Sequence, residues 1–221
     1  MKYIYCHPLF DERKCSHRFS FQLSKTFKQN GLHLDRFDYK GTGEASGKFC
    51  DITLDSLRHD IELEMDDNET VLIGLRFGAS LAFSCCCHQQ SSVTKLIQIE
   101  PILDGQLYVD YLFRKQRLKD TMTKKDGRFI KDEGFYNLEG YKTSENLIEQ
   151  MKLISLKHMS RNLSVGKSVR FASVAPVGNP DKGLISTVES LKELNIDSAI
   201  HNFSLPCFWE RVPDVDYTVL T

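Results

Sequence analysis

The stretch that decides the fold reads Val71-Leu72-Ile73-Gly74-Leu75-Arg76-Phe77-Gly78-Ala79-Ser80-Leu81-Ala82. Apolar residues lead into Gly-Leu-Arg-Phe-Gly, and a run of small and apolar residues follows. This order predicts a strand, a sharp turn and a helix, the pattern of a nucleophile elbow with a glycine two residues on either side of its tip. Glycine suits both positions because the strand and the helix approach too closely for a Cβ atom. The tip residue is Arg76, which cannot act as a nucleophile.

Composition limits the classes of protein that remain. A chain of 221 residues is long enough for one α/β domain with an ample core. Its 29 Lys and Arg against 30 Asp and Glu give a net charge of -1, which does not indicate a nucleic-acid partner. No apolar run reaches the ~18 residues of a membrane span, and the apolar segment at the start is too short for a secretory signal. We therefore expect a cytoplasmic protein.

The seven cysteines show no framework spacing. In a cytoplasmic protein they are expected to be reduced thiols rather than disulfides. Cys85, Cys86, Cys87 and His88 are consecutive on a predicted helix, so their side chains point in different directions and cannot converge on a metal ion. We predict no metal site and no cofactor.

Hydrophobic periodicity predicts strands that alternate with helices. Strands are predicted at Lys2–Cys6, Leu32–Phe37, Val71–Leu75, Lys95–Ile99, Val169–Val174 and Ile196–Phe203, and helices around residues 19–27, 54–65, 77–88 and 185–194. Residues 7–12, between the first strand and the first helix, are predicted to form a loop. This alternation is typical of parallel βαβ units, and it predicts an α/β fold with a doubly wound, mostly parallel sheet of about six strands.

The stretch from about residue 105 to residue 166 breaks the alternation. It contains two predicted helices, around residues 107–118 and 147–154, and a charged loop at 124–133, but no predicted strand. Because it falls between the fourth and fifth strands, we expect a helical insert that lies over the carboxyl edge of the sheet, where ligands bind in such folds.

Several motifs resemble the α/β-hydrolase family. The loop from Asp38 to Gly47 is similar to the family's Asp-x-x-Gly-x-Gly-x-Ser-x-Gly loop, and Gly74 to Gly78 stands at the elbow position. The closest resemblance is to the exosortase-A-associated hydrolases and a similar quorum-quenching acyl-homoserine-lactonase. That group shares an arginine elbow and segments resembling Pro8-Leu9-Phe10-Asp11-Glu12, Gly105 to Arg114 and Pro206-Cys207-Phe208-Trp209. The resemblance implies an α/β-hydrolase-like fold that lacks the N-terminal hairpin and carries a helical cap at about 105–166.

The resemblance also locates the positions of a catalytic triad. The nucleophile position is Arg76, and the acid position best fits Asp181. The histidine position falls in residues 205–209, which contain no histidine, and His201 lies earlier, within the predicted last strand. Two of the three triad members are missing, which excludes the Ser-His-Asp mechanism in this form.

An arginine at the elbow needs partners because a cation at a helix N-terminus is disfavoured by about 0.3–1 kcal/mol. One hypothesis is a buried ion pair with a loop carboxylate from Asp11, Glu12, Glu44 or Asp181. The other is that Arg76, with the amides of Phe77 and of the Leu9–Phe10 loop, binds an anion or an acyl carbonyl. In that case Glu12 and Asp181 would be acid/base or orienting groups, and the two hypotheses can coexist.

Two further residues lie near the histidine position. Cys207 is either a thiol activated by Arg76 or a small buried apolar residue. Trp209 either packs over the last strand or forms a wall of the ligand pocket.

Two functions therefore remain open. The first is a divergent hydrolase-like enzyme that acts on an acyl ester, thioester or lactone, in which Glu12 could activate water. The second is a non-catalytic pseudo-hydrolase that binds a small acylated or anionic molecule or a partner protein. A homodimer is compatible with both.

Overall fold

The computed structural model describes residues 1–66, 69–88, 92–123, 133–164, 166–175, 180–211, 217 and 220. These residues build one six-stranded parallel sheet with helices on both faces and a separate two-stranded hairpin. The strands of the main sheet are β1 (Lys2–Cys6), β2 (Leu34–Arg36), β3 (Thr70–Leu75), β4 (Val93–Ile99), β7 (Ser168–Ala175) and β8 (Asp197–Ser204). Their order across the sheet is β2-β1-β3-β4-β7-β8.

The helices follow the strands in the order expected for βαβ units. They are α1 (Phe10–Cys15), α2 (His17–Gln29), α3 (Leu54–Glu64), α4 (Phe77–His88), α5 (Gly105–Met122), α6 (Glu145–Lys152), α7 (Leu156–Met159) and α8 (Lys182–Glu193). Apolar residues pack into one cluster on each face of the sheet, and every residue of β3 is buried between them. The prediction of a doubly wound sheet of six strands is confirmed.

One element was predicted as loop and is helical. Residues 10–15 form α1, whose first turn carries Asp11 and Glu12. Acidic side chains in a first turn are favoured by the helix dipole. This short segment has no apolar repeat from which a helix could be predicted. Its start is marked instead by Phe10, whose φ of 56° is in the left-handed region.

The segment between β4 and β7 contains more than helices. Strands β5 (Phe135–Leu138) and β6 (Tyr141–Ser144) pair antiparallel there, so the prediction of no strand in this segment is wrong. Glu139 and Gly140 connect them with φ values of 54° and 95°. Positive φ at both positions of a two-residue loop gives the turn whose twist matches a hairpin. A Glu-Gly pair indicates such a hairpin turn less clearly than Asn-Gly does. Most of the predicted charged loop, at 124–132, lies outside the described residues.

The elbow has the predicted geometry. Arg76 stands between β3 and α4 with a φ of 53°. A Cβ on Gly74 would overlap the backbone of Gly78 and Ala79, and a Cβ on Gly78 would overlap the carbonyl groups of Cys6 and His7. Both glycines therefore allow α4 to press against β3 and the end of β1.

The close approach at Gly78 predicts a specific loss of stability. Gly78→Ala should lower the free energy of unfolding by about 3 kcal/mol, because backbone atoms must shift to admit the methyl group. Gly31 is a matched control: its φ is +72° but nothing lies within 4 Å of the added Cβ, so Gly31→Ala should cost about 1 kcal/mol through backbone strain alone. Urea unfolding of both variants measures the difference, and equal losses would contradict the packing account.

Candidate functional site

Arg76 lies at the carboxyl edge of the sheet and is held from two sides. Its Nε donates to Glu12 Oε1 at 3.2 Å, and its Nη1 donates to the backbone carbonyl of Glu100 at 3.3 Å. The Arg76 side chain is 17% exposed, whereas the Glu12 side chain is 2% exposed. The structure therefore contains the ion pair of the first hypothesis and leaves the Arg76 side chain partly exposed.

Two aromatic rings flank the guanidinium. Its central carbon lies 5.2 Å from the ring centroid of Trp209 and 6.0 Å from that of Tyr108. At these distances the ring quadrupoles attract the cation. Tyr108 in turn stacks on the buried Phe77, with ring centroids 5.9 Å apart and planes at 16°.

Glu12 is buried between Arg76 and Tyr108. Its Oε2 accepts a hydrogen bond from the Tyr108 hydroxyl at 3.1 Å, so each carboxylate oxygen has a partner. Burial raises the pKa of Glu12, and the charge of Arg76 only partly opposes this. Burial disfavours the charge of Arg76 as well, but the neighbouring Glu12 carboxylate keeps the pKa of Arg76 above its ordinary value. The guanidinium is charged at any physiological pH.

Three predicted ligand-binding residues turn their side chains into the core. Leu9, Phe10 and Phe77 are each 1% exposed or less. The Phe10 ring packs against Phe49 and Tyr141 at 5.5 and 5.9 Å between centroids. A ligand at Arg76 could reach only the backbone of these residues, so their side chains shape the loop rather than contact the ligand.

Asp181 caps helix α8 and does not contact Arg76. It is the N-cap of α8, and its Oδ1 accepts the backbone N–H of Gly183 at 2.7 Å. Within the described residues, Arg76 makes its polar contacts with Glu12 and Glu100, and the structure does not bring Asp181 to it. The expectation that Asp181 joins Arg76 rested on its position after the fifth strand, and the local demand for a helix cap accounts for the residue instead.

Neither thiol nor hydroxyl near the elbow is activated. Burial raises the pKa of Cys207, the charges of Glu210 and Glu100 raise it further, and the charge of Arg76 does not reverse this. Burial likewise raises the pKa of Cys15. Ser80, one turn after Arg76, is buried and donates to the carbonyl of Ile102 at 2.8 Å. His201 lies within β8, paired with Ala172, as predicted.

Sequence reasoning missed two members of the site. Tyr108 was part of the Gly105 to Arg114 motif but had no assigned role, and α5 places its hydroxyl on Glu12. Glu100 directly follows β4 and has a φ of 44°, and its Oε1 accepts the backbone N–H of Val174 at 2.5 Å. This anchor turns the Glu100 carbonyl towards Arg76. The Glu-Pro pair after the predicted strand was the available signal.

The described residues contain no cluster of three or more His, Cys, Asp or Glu side chains that could hold a metal ion. All seven cysteines are free thiols. No helix of the described ranges is both long and apolar enough to cross a bilayer.

Comparison with known proteins places the architecture. No protein-family model matches the sequence, and no curated protein sequence matches it. Solved structures do match in fold. Alpha/beta hydrolase domain-containing protein 10 from mouse has 15% identity and a TM-score of 0.56, with 95% of this chain and 85% of that chain covered. The monoacylglycerol lipase of Paleococcus ferrophilus has 15% identity and a TM-score of 0.61, with 91% and 83% covered.

A lipase-esterase related protein from Clostridium acetobutylicum has 14% identity and a TM-score of 0.60, with 94% of this chain and 87% of that chain covered. Likeness at these identities concerns the fold alone. Together with the parallel sheet and the strand–turn–helix elbow, it shows that the chain has an α/β-hydrolase-like fold.

Proposed function

We propose that this protein is a hydrolase-like binding protein that holds a small acylated or anionic molecule at Arg76 without Ser-His-Asp chemistry. The observation that carries the proposal is the state of the guanidinium. Two of its five N–H groups are taken, by Glu12 and by the Glu100 carbonyl, and Nη2 has no hydrogen-bond partner among the described residues. A charged, partly exposed donor between two aromatic rings suits a carboxylate, a phosphate or an acyl carbonyl.

The resemblance of the elbow to an arginine-elbow hydrolase group supports an acylated ligand. The segment from about 105 to 166 would act as its cap, because Tyr108 contacts Glu12 and the Tyr141 hydroxyl donates to the Phe10 carbonyl at 3.4 Å. Both contacts lie at the carboxyl edge, beside Arg76. A partner protein or a second copy of the chain could bind the same segment.

A second candidate function is hydrolysis without a covalent intermediate. The observation in its favour is the raised pKa of Glu12, which moves a carboxylate towards the range of a general base. In this mechanism Glu12 would take a proton from water while Arg76 polarises the acyl carbonyl. The arrangement is less suited to this chemistry, because Glu12 is buried and both of its oxygens already accept hydrogen bonds.

Binding at Arg76 is testable with defined probes. Octanoate and N-octanoyl-homoserine lactone should raise the melting temperature of the wild type, and the Arg76→Gln/Glu12→Gln double variant should bind them about tenfold or more weakly. The double change avoids leaving Glu12 as an unpaired buried charge, which alone costs about 3–5 kcal/mol. Arg170→Gln, which breaks a pair with Asp197 at the other end of the sheet, is the matched control and should bind normally. Equal binding by all three proteins would contradict the assignment.

The titration of Glu12 gives a second test. Because its folded pKa lies above the ordinary value of 4.5, the folded chain binds this proton more tightly than the unfolded chain. The contribution of Glu12 to the free energy of unfolding is therefore present at low pH and is lost as pH rises from 4.5 through the raised pKa. The difference in unfolding free energy between wild type and Glu12→Gln should fall over that window in urea titrations. A rise would mean that the charge of Arg76 outweighs burial and lowers the pKa.

Catalysis itself can be measured directly. Purified protein should show no turnover of 4-nitrophenyl butyrate, an acyl thioester or N-octanoyl-homoserine lactone above buffer. Turnover that is lost in Glu12→Gln and increases with pH would instead establish the second candidate, with Glu12 as the base. Turnover unaffected by changes at Glu12 and Arg76 would exclude this site for either function.

A further inference from the structure

A second opening lies at the carboxyl ends of β1 and β2, and Arg76 is not among the residues that line it. It is a cavity of about 500 Å³, a size suited to a small-molecule ligand. Two consecutive residues of α1 contribute one to the elbow and one to the cavity. Glu12 pairs with Arg76, whereas Arg13 lines the cavity and pairs with Asp38 at 2.5 Å. The cavity is therefore distinct from the arginine elbow.

His7 is a buried residue that lines this cavity, and one of its ring nitrogens lacks a hydrogen bond within the described part of the chain. It is 6% exposed, and its Nδ1 lies 2.7 Å from the Pro8 carbonyl oxygen. A carbonyl can only accept, so Nδ1 carries the hydrogen and Nε2 presents a lone pair. Burial lowers the pKa of His7 to about 4, so the ring is neutral at pH 7. Nε2 has no hydrogen-bond partner among the described residues, and an unmet buried acceptor is costly.

The group that satisfies Nε2 must be a donor, and its surroundings favour an uncharged one. Asp38 Oδ1 lies 3.8 Å from Nε2, but that oxygen is already neutralised by Arg13. An ammonium group there would meet the guanidinium of Arg13 and be repelled. A hydroxyl can donate to Nε2 and accept from Arg13, which matches both neighbours.

The rim of the cavity supplies a guanidinium and an imidazole. Arg36 and His17 both line it and are exposed, and no ion pair joins either of them to a carboxylate among the described residues. The remaining carboxylate of the wall, Glu44, is exposed, so its charge is largely screened by solvent and salt. Half-buried Asp38 already pairs with Arg13, which leaves the charge of Arg36 to meet an anion.

We propose that this cavity binds a small hydroxylated organic anion, with a hydroxyl on His7 and Arg13 and the anionic group on Arg36 and His17. Hydroxylated phosphates and hydroxylated carboxylates share this chemistry. The site is independent of Arg76 and of the function proposed for it.

The experiment uses the full chain and two probes, glucose 6-phosphate and gluconate. Glucose, which has the hydroxyls without the anion, and inorganic phosphate, which is the anion without the sugar, serve as the separate halves of the first probe. Titration calorimetry should show that at least one probe binds about tenfold more tightly than either half. With ¹⁵N-labelled histidine, the Nε2 resonance of His7, assigned by its loss in His7→Gln, should move on binding. The probe that binds identifies phosphate or carboxylate as the preferred anion.

Charge variants at the rim form a matched pair. Arg36→Gln should weaken binding about tenfold, and Glu44→Gln should leave it unchanged or strengthen it, because a like charge is removed. The Arg76→Gln/Glu12→Gln double variant should bind as the wild type does. The proposal is overturned if neither probe binds below about 10 mM, if His7 Nε2 does not respond, or if Arg36→Gln has no effect. Loss of binding in the Arg76 double variant would assign the ligand to the elbow instead.

Discussion

The ion pair between Arg76 and Glu12 is the constraint around which the site is arranged. Removing two charges from water costs several kcal/mol per ion, and the attraction between them offsets this only when the remaining donors and acceptors also find partners. Here the Tyr108 hydroxyl and the Glu100 carbonyl provide those partners. The pair consequently ties together the elbow, helix α1, the end of β4 and helix α5. Each of these elements supplies one group, so a shift of any one of them would break a hydrogen bond of the pair.

The same pair explains how a cation tolerates the first turn of α4. The helix dipole disfavours Arg76 there by about 0.3–1 kcal/mol, and its left-handed backbone adds about 1–3 kcal/mol of strain. A carboxylate at 3.2 Å and the face of Trp209 at 5.2 Å oppose both effects. Charge compensation thus keeps the elbow backbone, which in an active hydrolase would present a hydroxyl, in place around a residue that cannot attack.

Sequence reasoning was most successful where a pattern repeats over many residues. The six strands and the elbow follow from apolar runs and paired glycines, and α2 and α4 lie where periodicity placed them. It failed where a few backbone angles decide the outcome. Helix α1 is six residues long and starts from a left-handed Phe10, and the hairpin depends on the two positive φ values at Glu139 and Gly140. Neither feature leaves a periodic trace.

The candidate site shows the same division. Arg76, Glu12 and Trp209 were predicted from their places in motifs, and the structure brings them together. Asp181 was selected by its place in a triad, but a cap for α8 was the stronger local demand. Tyr108 could not be assigned because its role depends on how α5 lies on α1, a tertiary relation separated by 96 residues in sequence.

Helix α1 also explains why two polar sites can lie so close together. Neighbouring residues on a helix differ in direction by about 100°, so Glu12 and Arg13 point to different sides of this short helix. Helix α1 is also held by Glu139. The Asp11 backbone N–H donates to Glu139 Oε2 at 3.1 Å, and Lys115 of α5 pairs with Glu139 Oε1 at 2.5 Å. Because Glu139 belongs to the β5–β6 hairpin, this hairpin helps to hold α1 in the orientation that places Glu12 and Arg13. The hairpin that sequence reasoning missed is therefore part of what positions Arg76.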